Sequence, residues 1–381
     1  MSRTPVTMTL PGTPASYAWE ATDEAIAGRY GVALESILRF DLNTFPVTPS
    51  YVTEVLAAGR FETPLAEYPP GDYGRLVAAA ADAYGVAPDE VVPGAGADEV
   101  LDLCARAFLP AGGSAVVAVP SYAMYRVITE QRPARLRTVS RRGPIEGYAL
   151  DLGAVRSAAR RADLLWLCNP NNPTGLAEPE GTIAALLEGL AADAAADRRP
   201  APAVVLDEAY AEFVGTSLLA LRVRYPRLVV VRTASKAYAL AGFRVGFGLG
   251  TAETIARLAR YRPPGSISTV SATVVAEGLR RPELMRTNVA AIVTERGRLA
   301  AGLEAAGWSV GPSVTNFLAV DFGSAEHAGR VAEALLRRGL VPRTFGAGNP
   351  FAGHLRLTVR TLADNDRLIA AAAEIAAQED A

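Results

Sequence analysis

The chain has 381 residues, half of them hydrophobic, and a formal net charge of −2. This size and apolar content allow a large core and predict two domains. The near-neutral charge gives no basic excess for nucleic acid, and no run reaches the roughly 18 apolar residues that cross a membrane. The start of the sequence lacks the charged-then-apolar pattern of a signal peptide, so we expect a cytoplasmic protein without membrane or nucleic acid partners.

Cysteine and histidine are too few and too scattered for metal or disulfide chemistry. The two cysteines, Cys104 and Cys168, lie in apolar runs and are predicted to be buried thiols. The two histidines, His327 and His354, occur in unrelated segments. Without a cluster of these side chains, we predict no metal site.

The N-terminal part predicts an arm followed by helices. Residues 1–20 are rich in Thr, Pro and Ser, which predicts a partly ordered arm. Apolar spacing predicts a helix from Ala21 to Leu38, and a second helix is predicted over Gly74–Tyr84, after the turn that follows Tyr68. The packed face of the first helix should consist of Ile26, Tyr30, Leu34 and Ile37.

Glycines lead into the next predicted helix, which begins near Val100. The segment from Gly94 to Glu99 reads Gly-Ala-Gly-Ala-Asp-Glu. Glycines before a helix leave backbone N–H groups pointing outward, and the helix dipole adds positive potential there. The segment is therefore a candidate anion site around Ala97, in which Asp98 should cap or orient rather than touch the anion.

Apolar runs in the middle of the chain predict strands that are buried on both faces, as in a parallel sheet. Each run ends in side chains that can react or form hydrogen bonds, and open α/β sheets bind their ligands at that edge. The runs are Ser114–Val119 before Tyr122, Leu164–Cys168 before Asn172, the strand from Ala203 that ends at Asp207, and Leu228–Val231 before Lys236.

Lys236 is the only lysine among the 38 Lys and Arg residues. A Lys amine can lose its proton when buried, whereas Arg stays protonated, and a free amine can form a Schiff base with an aldehyde. Thr233, Ser235 and Arg244 flank this amine and suit a phosphate. Read with the glycine segment, they predict the second wall of one phosphate-binding cup.

Strands and helices alternate in the C-terminal part, which predicts a smaller α+β domain. We divide the chain into an N-terminal arm with part of the small domain (1–48), a large domain (49–265) and a C-terminal small domain (266–381). The predicted elements are a helix at Glu283–Ala306, a strand at Phe317–Phe322, a helix at Ala325–Leu336, a strand at His354–Val359 and a helix at Leu362–Ala377.

Five motifs occur in order: Gly-Ala-Asp-Glu, Pro-Ser-Tyr, Asn-Asn-Pro-Thr-Gly, Asp-Glu-Ala-Tyr and Ser-Lys, the last followed by Leu-Ala-Gly-Phe-Arg-Val-Gly. From about Tyr17 to Ile375 the chain resembles the fold-type I pyridoxal-phosphate (PLP) aminotransferases, and among them the histidinol-phosphate aminotransferase group. The resemblance implies the aspartate aminotransferase-like α/β fold of PLP-dependent transferases, with a mainly parallel sheet in the large domain and a small α+β domain. It also implies a homodimer with shared active sites.

The resemblance implies roles for individual residues. Lys236 would form the Schiff base with pyridoxal 5'-phosphate and act as general base and acid, with Asp207 and Tyr210 as the other catalytic residues. Asp207 would keep the pyridine nitrogen protonated, which makes the ring an electron sink. The remaining cofactor ligands would be Asn172 and Tyr210 on the phenolic oxygen, Tyr122 on the ring, and Ala97, Asp98, Thr233, Ser235, Arg244 and a partner subunit's Tyr68 around the phosphate.

The sequence determines the substrate less well than the fold and the cofactor. The resemblance implies that Arg356 binds substrate, and Arg343, Asn43 and Asn172 join it as candidates. The expected reaction is histidinol-phosphate:2-oxoglutarate transamination in histidine biosynthesis. Thr44 and Phe45 depart from the family pattern at the mouth of the site, so an aromatic amino-acid aminotransferase and a threonine-phosphate decarboxylase stay open. A PLP-sensing transcription regulator is disfavoured, since no DNA-binding domain precedes Tyr17.

Overall fold

A computed structural model describes residues 6–9, as backbone, and residues 16–379. Most of the predicted arm, 1–20, therefore lies outside the described residues. The chain forms two compact units. The first contains residues 48–171 and 177–286 with the described residues up to Tyr17, and the second contains residues 18–47, 172–176 and 287–379.

The first unit is built on an eight-stranded sheet in the order β1-β5-β4-β6-β7-β8-β9-β3. Strands β5, β4, β6, β7 and β8 run parallel, and β1 and β9 pair antiparallel to their neighbours at either end. The strands are β1 (Val6–Thr9), β3 (Val91–Gly94), β4 (Ser114–Val119), β5 (Arg135–Ser140), β6 (Leu164–Cys168), β7 (Ala203–Asp207), β8 (Leu228–Thr233) and β9 (Gly246–Leu249).

Helices cover this sheet. They are α2 (Ser50–Ala58), α3 (Gly74–Tyr84), α4 (Gly96–Phe108), α5 (Met124–Gln131), α6 (Leu152–Ala159), α7 (Thr182–Ala196), α8 (Ala211–Val214), α9 (Ala252–Ala259) and α10 (Thr269–Leu279).

Alternate residues of the central strands enter two different apolar clusters. In β8, Leu228 and Val230 pack into one cluster and Val229 and Val231 into the other. Successive strand side chains point to opposite faces, so the sheet carries a core on each face. The continuous apolar runs in the sequence follow directly from this double burial, which confirms the prediction of a mainly parallel sheet between helices.

The second unit is a smaller α+β structure. Its three-stranded antiparallel sheet has the order β10-β11-β13, and a short parallel pair joins β12 to β2. The strands are β2 (Leu38–Arg39), β10 (Ser309–Val310), β11 (Phe317–Asp321), β12 (Leu340–Val341) and β13 (His354–Thr358), and the helices are α1 (Asp23–Tyr30), α12 (Ala325–Leu336), α13 (Leu362–Glu379) and the part of α11 (Pro282–Ala305) that follows Arg286.

The predicted helix from Ala21 to Leu38 is wrong in its length. Helix α1 ends at Tyr30, because Gly31 adopts a left-handed conformation (φ 67°) and its N–H caps the carbonyl of Ala27. A 3₁₀ turn and strand β2 follow. Leu34, expected on the packed face, is 47% exposed.

Helix α10 belongs to the first unit, although the predicted division at residue 265 assigned it to the small domain. Ala272, Val274, Val275 and Leu279 of this helix join the same buried cluster as Leu76 of α3. The apolar face of α10 thus determines where it packs. The division into functional domains stays a prediction.

Among residues 6–9 and 16–379, no helix combines the length and apolar character needed to cross a membrane.

Helix α4 begins in close contact with strand β9. A Cβ added at Gly246 would lie 2.6 Å from the carbonyl carbon of Gly96 and 2.9 Å from the Cα of Ala97. Both neighbours are backbone atoms, so they cannot move aside cheaply. Gly246 therefore sets how closely the start of α4 approaches the sheet.

We predict that Gly246→Ala lowers the melting temperature by several degrees, since the new methyl group must displace the start of α4. The matched control is Gly242→Ala, because nothing lies within 4 Å of a Cβ at Gly242. Thermal unfolding followed by circular dichroism should show a loss in the first variant and little change in the second. Equal melting temperatures for the two variants would contradict the close approach.

Candidate active site

The predicted reactive residues of the first unit lie at the carboxyl ends of parallel strands. Asp207 is the last residue of β7, and Thr233 is the last residue of β8. Lys236 follows three residues later and is half-buried, with its Nζ 5.8 Å from the centre of the Tyr210 ring. The structure thus brings Lys236, Asp207 and Tyr210 to one edge of the sheet, as open α/β folds require of a ligand site.

The residues of the predicted anion cup lie near one another, where β8, β9 and α4 meet. The Thr233 hydroxyl donates to Ser235 Oγ (3.0 Å) and accepts from the Ser235 N–H (3.1 Å), which fixes both hydroxyls. The Arg244 guanidinium lies against Gly96, where a Cβ would be 2.5 Å from Nη2. With Ala97 packed on Gly246, the hydroxyls, the guanidinium and the helix N-terminus share one region.

Asp98 orients the surroundings of this cup. Its carboxylate accepts from the Tyr122 hydroxyl at 3.0 Å and pairs with Arg244 Nη2 at 3.5 Å. Both Asp98 and Arg244 are partly exposed, so the ion pair contributes little stability by itself. These contacts link Asp98 to two residues of the predicted site, and its orienting role stays a prediction.

Asp207 is buried at the end of β7. One carboxylate oxygen accepts from the Tyr125 hydroxyl at 2.8 Å, and the other accepts from the Ala209 N–H at 3.0 Å. Burial raises the pKa of Asp207 to about 6, although these two hydrogen bonds and the Lys236 charge act in the opposite direction. A cationic N–H partner would stabilise the ionised form.

Tyr125, which no sequence motif indicates, lies on α5 and is fully buried. Its ring stacks on Trp166 with centroids 5.4 Å apart, and Tyr122 meets it edge-on at 5.6 Å. The sequence places three tyrosines near this edge, and nothing in it tells which one reaches the carboxylate. The position of Tyr125 three residues after Tyr122 was the available signal.

A buried ion cluster, which no sequence motif indicates, lies at the carboxyl ends of β7 and β8. Arg232 of β8 donates to Glu208 at 3.1 Å and to Glu212 at 2.8 Å. Glu208 further accepts from the Ser217 hydroxyl and the Leu218 N–H. Glu208 thus fixes the chain immediately after Asp207.

In the second unit, Arg356 and Asn172 are in contact. Arg356 is buried on β13, and its Nη1 donates to Asn172 Oδ1 at 2.6 Å while Nη2 donates to the carbonyl of Asp41. Because Arg356 holds the amide oxygen, the NH₂ group of Asn172 is the part that could donate to a ligand. Arg356 also lies over the Phe317 ring, 5.4 Å from its centre.

Asn43 and Arg343 both contact strand β13, Arg343 at Arg356 and Asn43 at Thr358. Asn43 is buried at φ 52°, and its N–H donates to Thr358 Oγ1 at 2.9 Å. Arg343 pairs with Arg356 through both backbone N–H groups, while its guanidinium donates to the Ala18 carbonyl (2.7 Å) and lies 3.5 Å from Glu20. The charge of Arg343 is therefore partly compensated.

The other predictions concern Tyr68, the two cysteines and metal ligands. Tyr68 is 90% exposed, and the structure therefore leaves its phenol accessible. Cys104 and Cys168 are buried free thiols, as predicted. Within the described part of the chain, no three His, Cys, Asp or Glu side chains are grouped as metal ligands would be.

An amine, a buried carboxylate and an anion cup at one sheet edge define an enzyme of the α/β class. The sequence profile of the family described as "Aminotransferase class I and II" matches residues 39–371. The chain belongs to this family and is an aminotransferase, which confirms the predicted enzyme class.

Named relatives and solved structures agree with the family. The chain is 37% identical over 343 residues to the histidinol-phosphate aminotransferase of Thermococcus gammatolerans, covering 90% of this chain and 93% of that protein. It is 36% identical over 344 residues to the corresponding Symbiobacterium thermophilum protein, covering 89% and 91%.

Two solved structures show the same fold. Histidinol-phosphate aminotransferase of Sinorhizobium meliloti, in complex with pyridoxal-5'-phosphate, has a TM-score of 0.83 at 26% identity, covering 95% of this chain and 96% of that chain. Aspartate aminotransferase of Thermus thermophilus, with maleate, has a TM-score of 0.75 at 25% identity, covering 94% and 97%. The predicted aspartate aminotransferase-like fold is confirmed.

We predict that Asp207 makes the cofactor-free protein less stable as pH rises from about 4 to about 6. In this window the folded state keeps the proton on Asp207, whereas the unfolded state, with a pKa near 3.9, has lost it. The free energy of unfolding therefore falls with pH, by up to about 2–3 kcal/mol relative to Asp207→Asn. Urea unfolding of both proteins across this pH range measures the difference.

The matched variant is Tyr125→Phe. Its lost hydrogen bond should raise the pKa of Asp207 in the folded state further and extend the upper end of the window to higher pH, because that bond favours the charged carboxylate. The difference in the free energy of unfolding between wild type and Asp207→Asn should change with pH. A constant difference would contradict the burial of an ionisable Asp207.

Proposed function

We propose that this aminotransferase uses pyridoxal 5'-phosphate and transfers the amino group of histidinol phosphate to 2-oxoglutarate, in histidine biosynthesis. The observation that carries the proposal is the position of the sole lysine, Lys236, beside the carboxyl ends of β7 and β8. The relatives named histidinol-phosphate aminotransferase, which align with about nine-tenths of the chain, support the choice of substrate.

The residues at this edge fit the cofactor. Thr233, Ser235, Arg244 and the backbone of Ala97 supply hydroxyl, guanidinium and N–H donors for its phosphate. Asp207 is a buried carboxylate that lacks a cationic hydrogen-bond donor among the described residues, and it would accept a proton-bearing ring nitrogen.

Three further residues would complete the set of ligands. The Asn172 amide and the Tyr210 hydroxyl would donate to the phenolic oxygen of the cofactor, and Tyr122 would pack on its ring. Asp98, held by Tyr122 and Arg244, would orient this group of ligands. These assignments rest on the motif positions and on the hydrogen bonds described above.

When bound, the cofactor would supply an electron sink for the electrons of the bond between the substrate α-carbon and its hydrogen. Lys236 would take the proton from the α-carbon as general base and would donate a proton at C4′ as general acid. Asp207 would keep the ring nitrogen protonated, and Tyr125 holds Asp207 in place. The roles of the side chains follow from the amine, the buried carboxylate and the phenol that donates to it.

The substrate proposal rests on arginines. A guanidinium offers forked donors that suit a phosphate or a carboxylate, so Arg356 and Arg343 can serve both a phosphorylated donor and a dicarboxylate acceptor. Asn43 is fixed beside Arg356 by its bond to Thr358, and Asn172 is held by Arg356 itself. We assign these four residues to substrate binding.

We also propose a homodimer with shared active sites. Tyr68 lies in an exposed turn and would reach the cofactor phosphate of a partner subunit. Its 90% exposure supports this role, because an exposed phenol can contact a second copy of the chain.

We predict that borohydride reduction fixes the cofactor to Lys236 and to no other residue. Peptide mapping of the reduced protein should place the added mass on the peptide that contains Lys236, because it carries the only side-chain amine of the chain. Lys236→Ala should keep part of its cofactor affinity through the phosphate cup and lose at least about 10³-fold in turnover.

Lys236→Arg is the matched control, since it keeps the positive charge but supplies no amine nucleophile. It should be as inactive as Lys236→Ala. An unmodified Lys236 peptide from protein that holds the cofactor would disprove the assignment.

We predict that histidinol phosphate converts the cofactor to its amino form faster than phenylalanine or threonine phosphate. Each compound is mixed separately with the enzyme, and the absorption band of the cofactor is followed. Conversion by phenylalanine alone would make the protein an aromatic aminotransferase. Release of carbon dioxide from threonine phosphate would make it a decarboxylase.

Arginine variants test the same assignment independently of the donor series. Arg356→Gln should lower kcat/KM for histidinol phosphate about 100-fold or more, because a charge-assisted pair of hydrogen bonds is lost. Arg343→Gln should have a smaller effect, since Glu20 already compensates part of the Arg343 charge. Unchanged kinetics in both variants would remove these residues from the substrate site.

A further inference from the structure

A cavity of about 500 Å³ lies at the opposite edge of the large sheet from Lys236. Its lining residues Asp163 and Arg227 directly precede the first residues of β6 and β8, whereas Asp207 and Thr233 are the last residues of their strands. The cavity is therefore separate from the active-site edge. Its volume lies in the range of small-molecule sites.

Arginines dominate the charge of this cavity. Five of them face it, and one carboxylate opposes them. The charged lining residues are Arg106, Arg132, Arg199, Arg227, Arg257 and Asp163.

Little of this positive charge is compensated within the described residues. Arg106 pairs with Asp102 at 2.6 Å, but the described residues offer no ion pair within 4.0 Å to the other four arginines. Asp163 accepts from the Ser114 N–H at 2.8 Å, so part of its capacity is used by the backbone. The cavity thus carries an excess of about three positive charges.

Two of these arginines have a buried polar atom without a partner. The Nε atoms of Arg132 and Arg227 are shielded from solvent and form no hydrogen bond to any described residue. Burial, and then the nearby Arg257 charge, lowers the pKa of Arg227. Unpaired buried donors beside a like charge are costly unless an anion binds to them.

An aromatic ring holds two of the guanidinium groups. Arg227 and Arg257 lie over Phe108, with their central carbons 5.4 and 4.9 Å from the ring centre. Arg257 Nε also donates to the carbonyl of Ala107 at 2.9 Å. These contacts fix the groups before any ligand arrives, which reduces the entropy lost on binding.

We propose that this cavity is a binding site for a small diphosphate-bearing anion. Two linked phosphate groups carry about as much negative charge as the uncompensated arginines carry positive charge, and guanidinium forks match phosphate oxygens. The anion is either inorganic diphosphate or a nucleoside diphosphate. Tyr261 lies at the cavity and is 43% exposed, so its ring is available to stack on a base.

Calorimetric titration of the cofactor-loaded enzyme with inorganic diphosphate and with ADP, at about 0.15 M salt, tests the proposal. We expect one site per chain whose affinity falls at least tenfold in the double variant Arg132→Gln/Arg227→Gln. Arg199→Glu changes an exposed side chain and should fold normally, and it should weaken binding three- to tenfold. Arg60→Gln, at an exposed arginine outside the cavity, is the matched control and should bind as wild type does.

The two sources of diphosphate give different results. Tighter binding of ADP that Tyr261→Ala reduces to the affinity of inorganic diphosphate indicates a nucleotide, and equal affinities indicate the inorganic anion. No binding at millimolar concentration would overturn the proposal. So would equal weakening in Arg60→Gln, or loss of binding in Arg356→Gln with none in the cavity variants.

Discussion

The geometry of the active-site edge depends on one buried cation. Arg232 lies one residue before Thr233 on β8 and binds Glu208, which follows Asp207 on β7. All three side chains of the cluster, Arg232, Glu208 and Glu212, are almost completely shielded from water. Removing Arg232 would leave two buried carboxylates without their cation, which costs about 3–5 kcal/mol. The cluster thus holds together the strand ends that carry the carboxylate and the amine.

Hydrogen bonds and close packing then orient the groups on this frame. Tyr125, itself fixed by stacking on Trp166, presents its hydroxyl to Asp207. On β9, Gly246 allows the start of α4 to approach the sheet closely. Gly246 is also the ladder partner of Thr233 on β8, so the N–H groups at the start of α4 lie beside Thr233. Each reactive group is therefore held by a neighbour that does not itself react, as preorganised sites require.

The sequence was sufficient for the parallel strands β4, β6, β7 and β8 and for the positions of the motif residues after them, and physical reasons explain what it did not reveal. Double burial makes parallel strands continuous apolar runs, so their carboxyl ends could be located directly. The helix predicted from Ala21 was too long because the apolar spacing continues past Gly31, whose left-handed conformation ends the helix. Tyr125 and Arg232 act through contacts distant in sequence, with Asp207 and Glu208, and Arg232 is one of many similar arginines. Hydrogen bonds and ion pairs between residues so far apart in the sequence leave no local pattern.

The preference for arginine over lysine has a chemical consequence at the site. An arginine stays protonated even when buried, so Arg232 and Arg356 can hold their partners without becoming nucleophiles. Lysine in the same positions would add amines that compete for an aldehyde and that lose their charge on burial. With Lys236 as the only lysine, one position in the chain combines a side-chain amine with a buried carboxylate at the same sheet edge. The proposed reaction of the cofactor with Lys236 alone would thus follow from composition as well as from the fold.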